Sequence, residues 1–559
     1  MKPIYGIDLG TTYTKCAIVR PTDSVMEVFK LDKASRDAPQ NTLTILRSAV
    51  TVGCFDGRNV AYVGTRSLEE YEDWDADEDP PLRRFEESKM HIGEDVGRAQ
   101  GEDSPPWPFP PHDWEYRPED IGAIVLRKVK KEAEAAHGPA LERVVITHPQ
   151  YFSDTRRKAT HQAAEIAGLE VVDMLTEPDA AALAFNATAA PGKYMVFDMG
   201  GGTLDVTICQ IEPNRVVVLS SDGTKRAGRD FDRVILDRMV DEYRASYPEF
   251  DPAKLDSRTF QVWMKEAERV KRMLNDQEAV ATRYQCDNAL FARPHKRIVI
   301  RREHFYADSA AIVEASIACA TNALARAHLG WRDLSNVLCV GGSTRLRHLH
   351  EALQLAAGRT IDIDELEVDS AIARGAALHA HQIANRGATL ISSLSGPIRR
   401  PETESGAGAP APAVPVELIG VLARGLGVKI YSRTRRRDVI HRLVPRGTQI
   451  PWRKTFPDTF RTKDPGQTSI LVELYEGESD DPDECELLGT LELTGFPPPA
   501  DAGQPVEVTI DIEQNGTKHL VVSAFARSKE AVIEFDPRRV VGAADLEHRR
   551  EFIGKLQIL

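Results

Sequence analysis

The 559-residue sequence predicts an α/β domain of two lobes over residues 1–385, followed by a β-sandwich domain. Strand-like and helix-like segments alternate over residues 1–385, which is typical of α/β domains. From residue 416 onward the segments are alternating strands. One pattern of residues also occurs twice in the first domain, near residues 5–19 and 196–211, and this repeat indicates a duplicated lobe.

Length and composition restrict the class of protein. A chain of 559 residues is too long for one hydrophobic core, so several domains are expected. The formal net charge of −14 argues against a nucleic acid or a membrane surface as partner, because both require a positive face. The seven cysteines are odd in number and lack metal-type spacing, which fits buried thiols in a reducing compartment. Because no apolar run resembles a signal peptide or a membrane span, a cytosolic location is predicted.

The repeated pattern consists of an apolar strand, an Asp at its end, a Gly/Thr turn and a second apolar strand. Its first copy is YGIDLGTT (5–12) and its second is VFDMGGGTLD (196–205). Turn glycines let backbone N–H groups surround an anion, and threonine hydroxyls add donors. Asp8 and Asp198 can hold the hydrated Mg²⁺ that accompanies nucleotide phosphates. Either copy alone could be an ordinary hairpin, but two copies predict phosphates bound in a cleft between lobes.

Two further segments of the first domain have features of a ligand site. In VLCVGGSTR (337–345), a strand runs into Gly-Gly, and such a turn lets a phosphate or a flat ligand approach the backbone. In EAERVKRMLN (266–275), four polar residues share one helix face because they lie at i, i+3, i+4 and i+7. These four are Glu268, Lys271, Arg272 and Asn275. A salt-bridged solvent face is the alternative interpretation of this helix.

The second half of the chain is divided by composition. Residues 386–415 are rich in Pro, Gly and Ala and have no period, so they predict a flexible linker. Residues 416–536 predict the β-sandwich; strands at 506–512 and 520–525 flank Asn515-Gly516, a strong hairpin signal. Residues 537–559 predict a short C-terminal tail with one possible helix, Asp545 to Leu556.

The motifs occur in an order that resembles the DnaK-type heat-shock chaperone family. They are IDLGTTYTKCAIV, ITHPQYFSDTRRKAT, TEPDAAALAF, FDMGGGTLDVTI, EAERVKRMLN, VGGSTRL and VDSAIARGAAL. The resemblance covers nearly the whole chain, up to about Asp536. It implies an actin-like nucleotide-binding domain that hydrolyses ATP with Mg²⁺, a linker, and a β-sandwich that binds extended polypeptides.

The resemblance also implies roles for individual residues of the first domain. The catalytic set would be Lys89, Glu177, Asp198, Thr203 and Asp205. Asp8 and Asp198 would hold Mg²⁺ through water, Glu268 and Lys271 the ribose, and Arg272 and Arg345 the adenine. The other implied nucleotide-binding residues are Gly10, Thr11, Thr12, Tyr13, Gly200, Gly201, Gly202, Thr203, Asn275, Gly341, Gly342, Ser343 and Asp369. An exposed surface lysine is the alternative for Lys89, and a plain helix start is the alternative for Glu177.

In the β domain, the resemblance places Ile470 at the base of a peptide pocket. Val428, Phe460 and Val472 would surround it, while Tyr431 and Lys463 match the two positions that arch over the peptide. Alternate strand positions point into the sandwich in any β protein, so core packing remains the alternative for the apolar residues.

Three departures from the family pattern concern coupling and partners. Gly420 stands where the family's linker has an Asp. Asp173 reverses the positive charge of the surface that meets J-domain co-chaperones, and Thr176 replaces an Asn of that surface. The family's long helical lid is expected to be absent. Pro149 and Arg157, which communicate between the domains, are retained. These features predict a dedicated J-domain co-chaperone, with a nucleotide exchange factor as a further partner.

The leading interpretation is a cytosolic, ATP-driven chaperone that binds extended polypeptide segments. A kinase of a small sugar or acid shares the predicted fold, but the peptide-domain-like β half argues against it. A nucleotide-switched scaffold or filament protein, which would use the same ATPase fold without folding clients, is the main alternative.

Overall fold

A computed structural model describes residues 2–20, 25–33, 42–55, 58–73, 82–93, 116–137, 140–186, 190–213, 215–248, 250–251, 257–284, 296–361, 365–385, 417–432, 434–495, 501–513, 517–525, 527–533 and 543–559. The predicted linker, residues 386–415, and the predicted Asn515-Gly516 turn lie outside these residues. Within the described ranges, no helix is both long enough and apolar enough to span a bilayer.

Residues 4–186 form what we call the first unit. Its elements are β1 (Ile4–Asp8), β2 (Tyr13–Val19), β3 (Met26–Val28), β4 (Asp32–Lys33), β5 (Thr42–Leu43), β6 (Leu46–Arg47), β7 (Val50–Phe55), β8 (Arg58–Val63), α1 (Thr65–Asp73), β9 (Arg83–Phe85), α2 (Ser88–His91), α3 (Pro118–His137), β10 (Arg143–His148), α4 (Asp154–Ile166), β11 (Glu170–Thr176) and α5 (Glu177–Asn186). The central sheet has the order β11-β10-β1-β2-β3, and strands β8, β7 and β9 form a second sheet.

Residues 192–385 form the second unit. Its elements are β12 (Gly192–Met199), β13 (Leu204–Glu212), β14 (Arg215–Thr224), α6 (Gly228–Ser246), α7 (Ser257–Met273), β15 (Ala279–Tyr284), β16 (Lys296–Arg301), α8 (Arg302–Asp308), α9 (Ala310–Arg326), β17 (Asn336–Val340), α10 (Arg347–Ala357) and α11 (Glu365–Asn385). A short 3₁₀ helix, Gly342–Arg345, follows β17. The central sheet contains the path β17-β12-β13-β14.

The two central sheets repeat one arrangement. In each, a strand that ends in the Asp motif pairs antiparallel with the next strand and parallel with a later one: β1 with β2 and β10, and β12 with β13 and β17. Each unit also has its own large hydrophobic cluster, while a third cluster includes residues of α5 and α11, which lie between the units. The repeated sequence pattern therefore corresponds to a repeated sheet topology.

The β domain is a sandwich of two four-stranded antiparallel sheets. The strand β18 (Glu417–Ile419) precedes it, and its own elements are β19 (Leu426–Ser432), β20 (Arg437–Val444), β21 (Trp452–Arg461), β22 (Ser469–Glu476), β23 (Glu486–Thr494), β24 (Pro505–Ile512), β25 (Lys518–Ala524) and β26 (Arg527–Ile533). One sheet has the order β20-β19-β22-β23 and the other β21-β24-β25-β26. Inward-facing apolar residues of both sheets form a single core. The predicted hairpin between 506–512 and 520–525 is the antiparallel pair β24 and β25.

Two segments that are close to the sandwich in sequence pack instead on the first or the second unit. β18 falls within the predicted β domain, yet it pairs parallel with β14 of the second unit. The predicted C-terminal helix is α12 (Ala543–Lys555), and it is followed by β27 (Gln557–Ile558). β27 pairs with β8, so the tail packs on the first unit. Short strands of two or three residues carry too little pattern to reveal such distant pairing.

Candidate active site

Two glycine- and threonine-rich turns face each other across a cleft. The first joins β1 to β2 and the second joins β12 to β13. A Cβ atom on Gly201 would lie 1.9 Å from Thr12 Oγ1, and one on Gly202 would lie 3.0 Å from Thr11 Cγ2. A side chain at position 201 would therefore force Thr12 to move. The two turns approach closely enough for a single phosphate chain to contact both.

A third turn, the one that follows β17, packs against the second of these turns. Gly341 has a φ of +79°, and a Cβ there would lie 2.4 Å from the carbonyl oxygen of Met199. Ser343 Oγ donates a hydrogen bond of 2.8 Å to the carbonyl of Gly200. The sequence GGS thus fixes this turn beside the cleft, as its Gly-Gly pair predicts.

Two ion pairs, one of them fully buried, lie at the base of the cleft. Asp8, the last residue of β1, accepts a hydrogen bond of 3.0 Å from Lys15 Nζ. Lys89, in α2, forms an ion pair with Glu177, the first residue of α5. Both side chains of the second pair are buried. Lys89 is therefore not an exposed surface lysine, and Glu177 does more than begin a helix.

The base of the cleft also holds the carboxylate of Asp198 on β12, and the buried Asp205 is its partner on the neighbouring strand β13. Burial and the nearby carboxylates of Glu177 and Asp8 raise the pKa of Asp198 to about 8. Burial raises the pKa of Asp205 well above its usual range, and it also raises the pKa of Glu177 despite the ammonium of Lys89. Four acids face two lysines here, so the cluster favours an additional cation.

The donor set fits a hydrated magnesium ion rather than a metal bound entirely by protein. No group of three or more His, Cys, Asp or Glu side chains in the described part of the chain is arranged to hold a metal directly. Mg²⁺ prefers carboxylate oxygens and usually keeps several of its waters. Asp8 and Asp198 supply such oxygens beside the phosphate-type turns.

The far side of the cleft is formed by α7 and the turn after β17. Arg272 donates a hydrogen bond of 2.5 Å to Tyr13 Oη, and its guanidinium carbon lies 5.9 Å from the centre of the Tyr13 ring. Lys271 Nζ lies 2.7 Å from Asp232. Asn275 Nδ2 donates to the carbonyl of Arg345 at 2.9 Å. The polar face of α7 therefore lines the cleft, although the side chain of Arg272 is also 59% exposed to solvent.

Cross-cleft ion pairs are the part of the site that the sequence did not reveal. Arg47 of the first unit donates to Glu268 of the second unit at 2.8 Å and to Glu86 at 3.3 Å. Arg229 of the second unit pairs with Glu87 of the first unit. Neighbouring arginines lower the pKa of Glu268 to about 2, although burial opposes them. Such pairs join residues that are distant in sequence, so no local motif identifies them.

A cavity of about 410 Å³ contains most of the predicted residues. Those that line it are Asp8, Gly10, Thr11, Thr12, Tyr13, Lys89, Glu177, Asp198, Gly200, Gly201, Thr203, Glu268, Lys271, Arg272, Asn275, Gly341, Gly342, Ser343 and Arg345. The prediction missed seven charged lining residues, Lys15, Arg47, Arg84, Glu86, Arg229, Asp232 and Lys265, and four apolar ones, Ile45, Met264, Leu346 and Ile372. Asp369 belongs to α11, but its side chain lies outside the described residues.

The loop before α4 links this site to the β domain. The backbone of Gln150 hydrogen-bonds to Asp205, and the side chain of Tyr151 hydrogen-bonds to Thr203. The side-chain amide of Gln150 donates at 3.2 Å to the carbonyl of Val421, just beyond β18. One loop therefore contacts the acidic cluster on one side and the start of the β domain on the other.

A buried charge cluster continues this contact between α4 and the sandwich. Lys518 Nζ lies 2.9 Å from Asp154, and both side chains are buried. Asp154 also pairs with Arg157. The backbone N–H of Thr155 donates to Glu486 at 3.2 Å. Arg157, which the resemblance assigns to communication between domains, thus lies at their interface.

The other predicted residues of the β domain and of the co-chaperone surface have the following positions. Val428, Ile470 and Val472 are buried in the sandwich core, and Phe460 is partly buried against it. Both the peptide-pocket interpretation and the core-packing interpretation of these apolar residues predict such burial, so it does not distinguish between them. Tyr431 is 47% exposed, and Lys463 Nζ lies 5.0 Å from the centre of its ring. On the first unit, Asp173 accepts a hydrogen bond of 2.8 Å from His379, a partner that the prediction missed.

Comparison with known proteins agrees with this architecture. The family model described as Hsp70 protein matches residues 87–389 and 415–550. The chain is 28% identical to the chaperone protein DnaK of Thermotoga neapolitana over 559 residues, which cover 98% of this chain and 83% of that protein. The chaperone protein DnaK of Thermosipho melanesiensis is 27% identical over 547 residues, covering 97% of this chain and 82% of its own length. Because the family model matches most of the sequence, the chain belongs to the Hsp70 family.

Proposed function

We propose that this chain is an ATP-dependent chaperone that hydrolyses ATP to ADP and phosphate and thereby regulates binding of extended polypeptide segments by its β domain. The observation that carries the proposal is the buried Lys89–Glu177 pair, which lies beside Asp205 between two facing phosphate-type turns. In this proposal the first and second units are the two lobes of an actin-like ATPase domain, and the nucleotide binds between them.

The chemistry would be phosphoryl transfer to water, in which positioning and charge stabilisation provide the catalysis. Asp8 and Asp198 would hold hydrated Mg²⁺, which neutralises phosphate charge when it is bound. Lys89 places a buried ammonium where charge builds up on the transferring group. Glu177 and Asp205 accept hydrogen bonds, so they can orient the attacking water.

Binding of adenosine would use the opposite end of the same cavity. Glu268 and Lys271 present polar groups to the ribose, and Arg272 and Arg345 line the space that a purine would occupy. Arg47 fixes Glu268 by an ion pair from the other lobe, so closure of the cleft and ribose binding would occur together.

Coupling to the β domain would pass through the loop that contains Gln150 and Tyr151. A change in the position of Asp205 or Thr203 on hydrolysis would move this loop, because its backbone and Tyr151 bond to those residues. The same loop and α4 hold Val421 and Lys518. In this proposal the contact does not depend on an Asp at position 420, where this chain has Gly.

A J-domain co-chaperone is proposed as a partner, with polypeptide as the client. Asp173 is 39% exposed and paired with His379, so this surface presents an anion where the family presents a cation. Like charges repel across an interface and suppress wrong partners, so the partner would carry compensating cationic residues. The cytosolic location and a nucleotide exchange factor stay predictions from the sequence.

The proposal is tested by steady-state ATP turnover of the full chain with and without an unfolded model polypeptide. We expect slow basal hydrolysis that rises several-fold with the polypeptide, as in an enzyme whose β domain controls its cleft. The variant Ile470→Asp should retain basal hydrolysis and lose the stimulation, while Leu471→Asp, at a 59% exposed position of the same strand, serves as the matched control. Turnover that no polypeptide changes, together with ATP-dependent light scattering, would instead support the scaffold alternative.

A further inference from the structure

The segment 543–559, which contains α12 and β27, packs on the first unit as part of its core. Ile553, Leu556 and Ile558 are buried in the main hydrophobic cluster of that unit, and Ile553 has no exposed surface. Phe552 also packs against this cluster. Burial of this kind is typical of a structural element and not of a peripheral tail.

Backbone hydrogen bonds add this segment to a sheet of the first unit. β27 pairs parallel with β8, with Gln557 opposite Val60 and Ile558 opposite Ala61. The N–H of Leu559 donates to the carbonyl of Ala61 at 2.9 Å. The resulting order is β27-β8-β7-β9, so the segment covers the edge that β8 would otherwise present.

Side chains of α3 and of the residue before it bind both ends of α12. Near its start, Arg117, the residue before α3, lies 3.0 Å from Asp545, and in its middle Arg549 forms an ion pair with Asp120 of α3. At its end, Arg127 donates to several carbonyls, including that of Gly554 at 3.3 Å. Cationic donors at a helix C-terminus satisfy carbonyls that lack partners within the helix. The contact is therefore specific in both charge and hydrogen bonding.

An aromatic row connects this segment to the strand that leads to Lys89. The ring of Phe552 lies 5.8 Å from that of Tyr116, which lies 5.4 Å from that of Phe85. Phe85 ends β9, and Lys89 follows four residues later. The turn that follows α2, the helix that carries Lys89, is also bound by α3, because the N–H of Gly93 donates to Glu119 at 2.8 Å. The elements that hold the segment thus also hold Lys89.

We propose that residues 543–559 are a fixed component of the first unit in every nucleotide state, and that Phe552 is a positioning residue for Lys89. The first claim, that the segment is fixed, is the structural half of this inference and is independent of the proposed function. The second claim, on Phe552, is the positioning half and rests on the proposed function. One consequence is that the β domain stays tied to the first unit by its C-terminal connection throughout the ATP cycle. A second is that loss of the segment weakens hydrolysis without removing any group that contacts nucleotide.

The structural half is tested by hydrogen–deuterium exchange on the full chain without nucleotide, with ADP and with a non-hydrolysable ATP analogue. Amides of residues 553–559 should exchange slowly and at the same rate in all three states. Exchange at the rate of an unprotected chain in any one state overturns the proposal. Ile553→Ala should lower the melting temperature of the first transition by about 5–10 °C. Lys555→Ala, at a solvent-exposed position, should leave it unchanged.

The positioning half is tested by ATP kinetics of Phe552→Ala and Phe552→Tyr. We expect Phe552→Ala to lower kcat roughly tenfold, because small misplacement of a catalytic group is costly, while KM for ATP stays within twofold. Phe552→Tyr should restore kcat because it keeps the ring. Wild-type kcat in Phe552→Ala overturns the positioning role, and so does an equal loss in Lys555→Ala. If neither wild type nor variants hydrolyse ATP, the proposed function fails, and the exchange experiment still decides the structural half.

Discussion

The ion pair between Lys518 and Asp154 should be decisive for docking of the β domain on α4. Lys518 is 1% exposed and lies 2.9 Å from Asp154, inside a cluster that also contains Arg157, Glu476 and Glu486. Burial lowers the pKa of Lys518 to about 8, so the lysine is mostly charged at pH 7 and its charge is needed by the buried carboxylates. The variant Lys518→Met removes that charge and leaves those carboxylates undercompensated.

Removal of one partner from a buried pair typically costs about 3–5 kcal/mol. At about 1.4 kcal/mol per factor of ten, docking should weaken by at least about 100-fold. Two backbone amides report the docking equilibrium directly. The N–H groups of Asp154 and Thr155 donate to Glu476 and Glu486 of the β domain, respectively. Their hydrogen exchange should accelerate by a similar factor in Lys518→Met if they exchange when the interface opens.

The matched control is Lys529→Met, since Lys529 is exposed and donates to a carbonyl within the β domain. Exchange rates of Asp154 and Thr155 that are unchanged in Lys518→Met would refute this reasoning.

Three further outcomes are expected. Gly201→Ala should weaken ATP binding by about 10- to 100-fold in calorimetry, because its Cβ would lie 1.9 Å from Thr12 Oγ1. Gly330→Ala is the control, because a Cβ at that position would have its nearest neighbour, Asp333 Oδ2, at 3.7 Å. Asp173→Arg should allow an unrelated J-domain protein to stimulate hydrolysis, and strong stimulation of the unmodified chain would contradict that expectation. Lys463, whose ammonium lies over the exposed ring of Tyr431, should favour extended apolar peptides with acidic flanks, at micromolar or weaker affinity. Anisotropy titrations test this preference. Better binding of basic-flanked peptides, or an unchanged preference in Lys463→Ala, would show that this charge does not act on the peptide.

The residues that line the cleft could be brought together from the sequence because they lie in short motifs whose geometry is local. An Asp at the end of a strand, followed by a Gly/Thr turn, places carboxylate and backbone donors together wherever the strand lies. The repetition of that pattern identified two facing turns, and the structure confirms their contact at Gly201 and Thr12. The polar face of α7 could also be predicted from the spacing of its residues, because Glu268 and Arg272 are four residues apart and therefore lie on the same side of a helix.

The features that escaped prediction depend on contacts between distant segments. Arg47 and Glu268 are separated by 221 residues, and nothing near Arg47 indicates its partner. β18 and β27 contain three and two residues, respectively, so they have no alternation that could reveal a sheet. β18 pairs with β14, and β27 pairs with β8. These pairings depend on which sheet edges still have unpaired backbone groups after the units have folded. The sequence therefore indicates residues of the cleft but not that segment 543–559 packs on the first unit.

The most direct test of the whole account is single-turnover hydrolysis of ATP by Lys89→Ala, with nucleotide affinity measured in parallel. Lys89 is buried and paired with Glu177, and electrostatic groups of this kind typically contribute about 3–4 kcal/mol to the transition state. We predict hydrolysis at least about 100-fold slower than in the wild type, with the Kd for ATP within threefold, and no change in Lys2→Ala, whose ammonium is on the surface. Hydrolysis by Lys89→Ala within a factor of three of the wild-type rate would contradict the assignment of this cleft as the site of ATP hydrolysis.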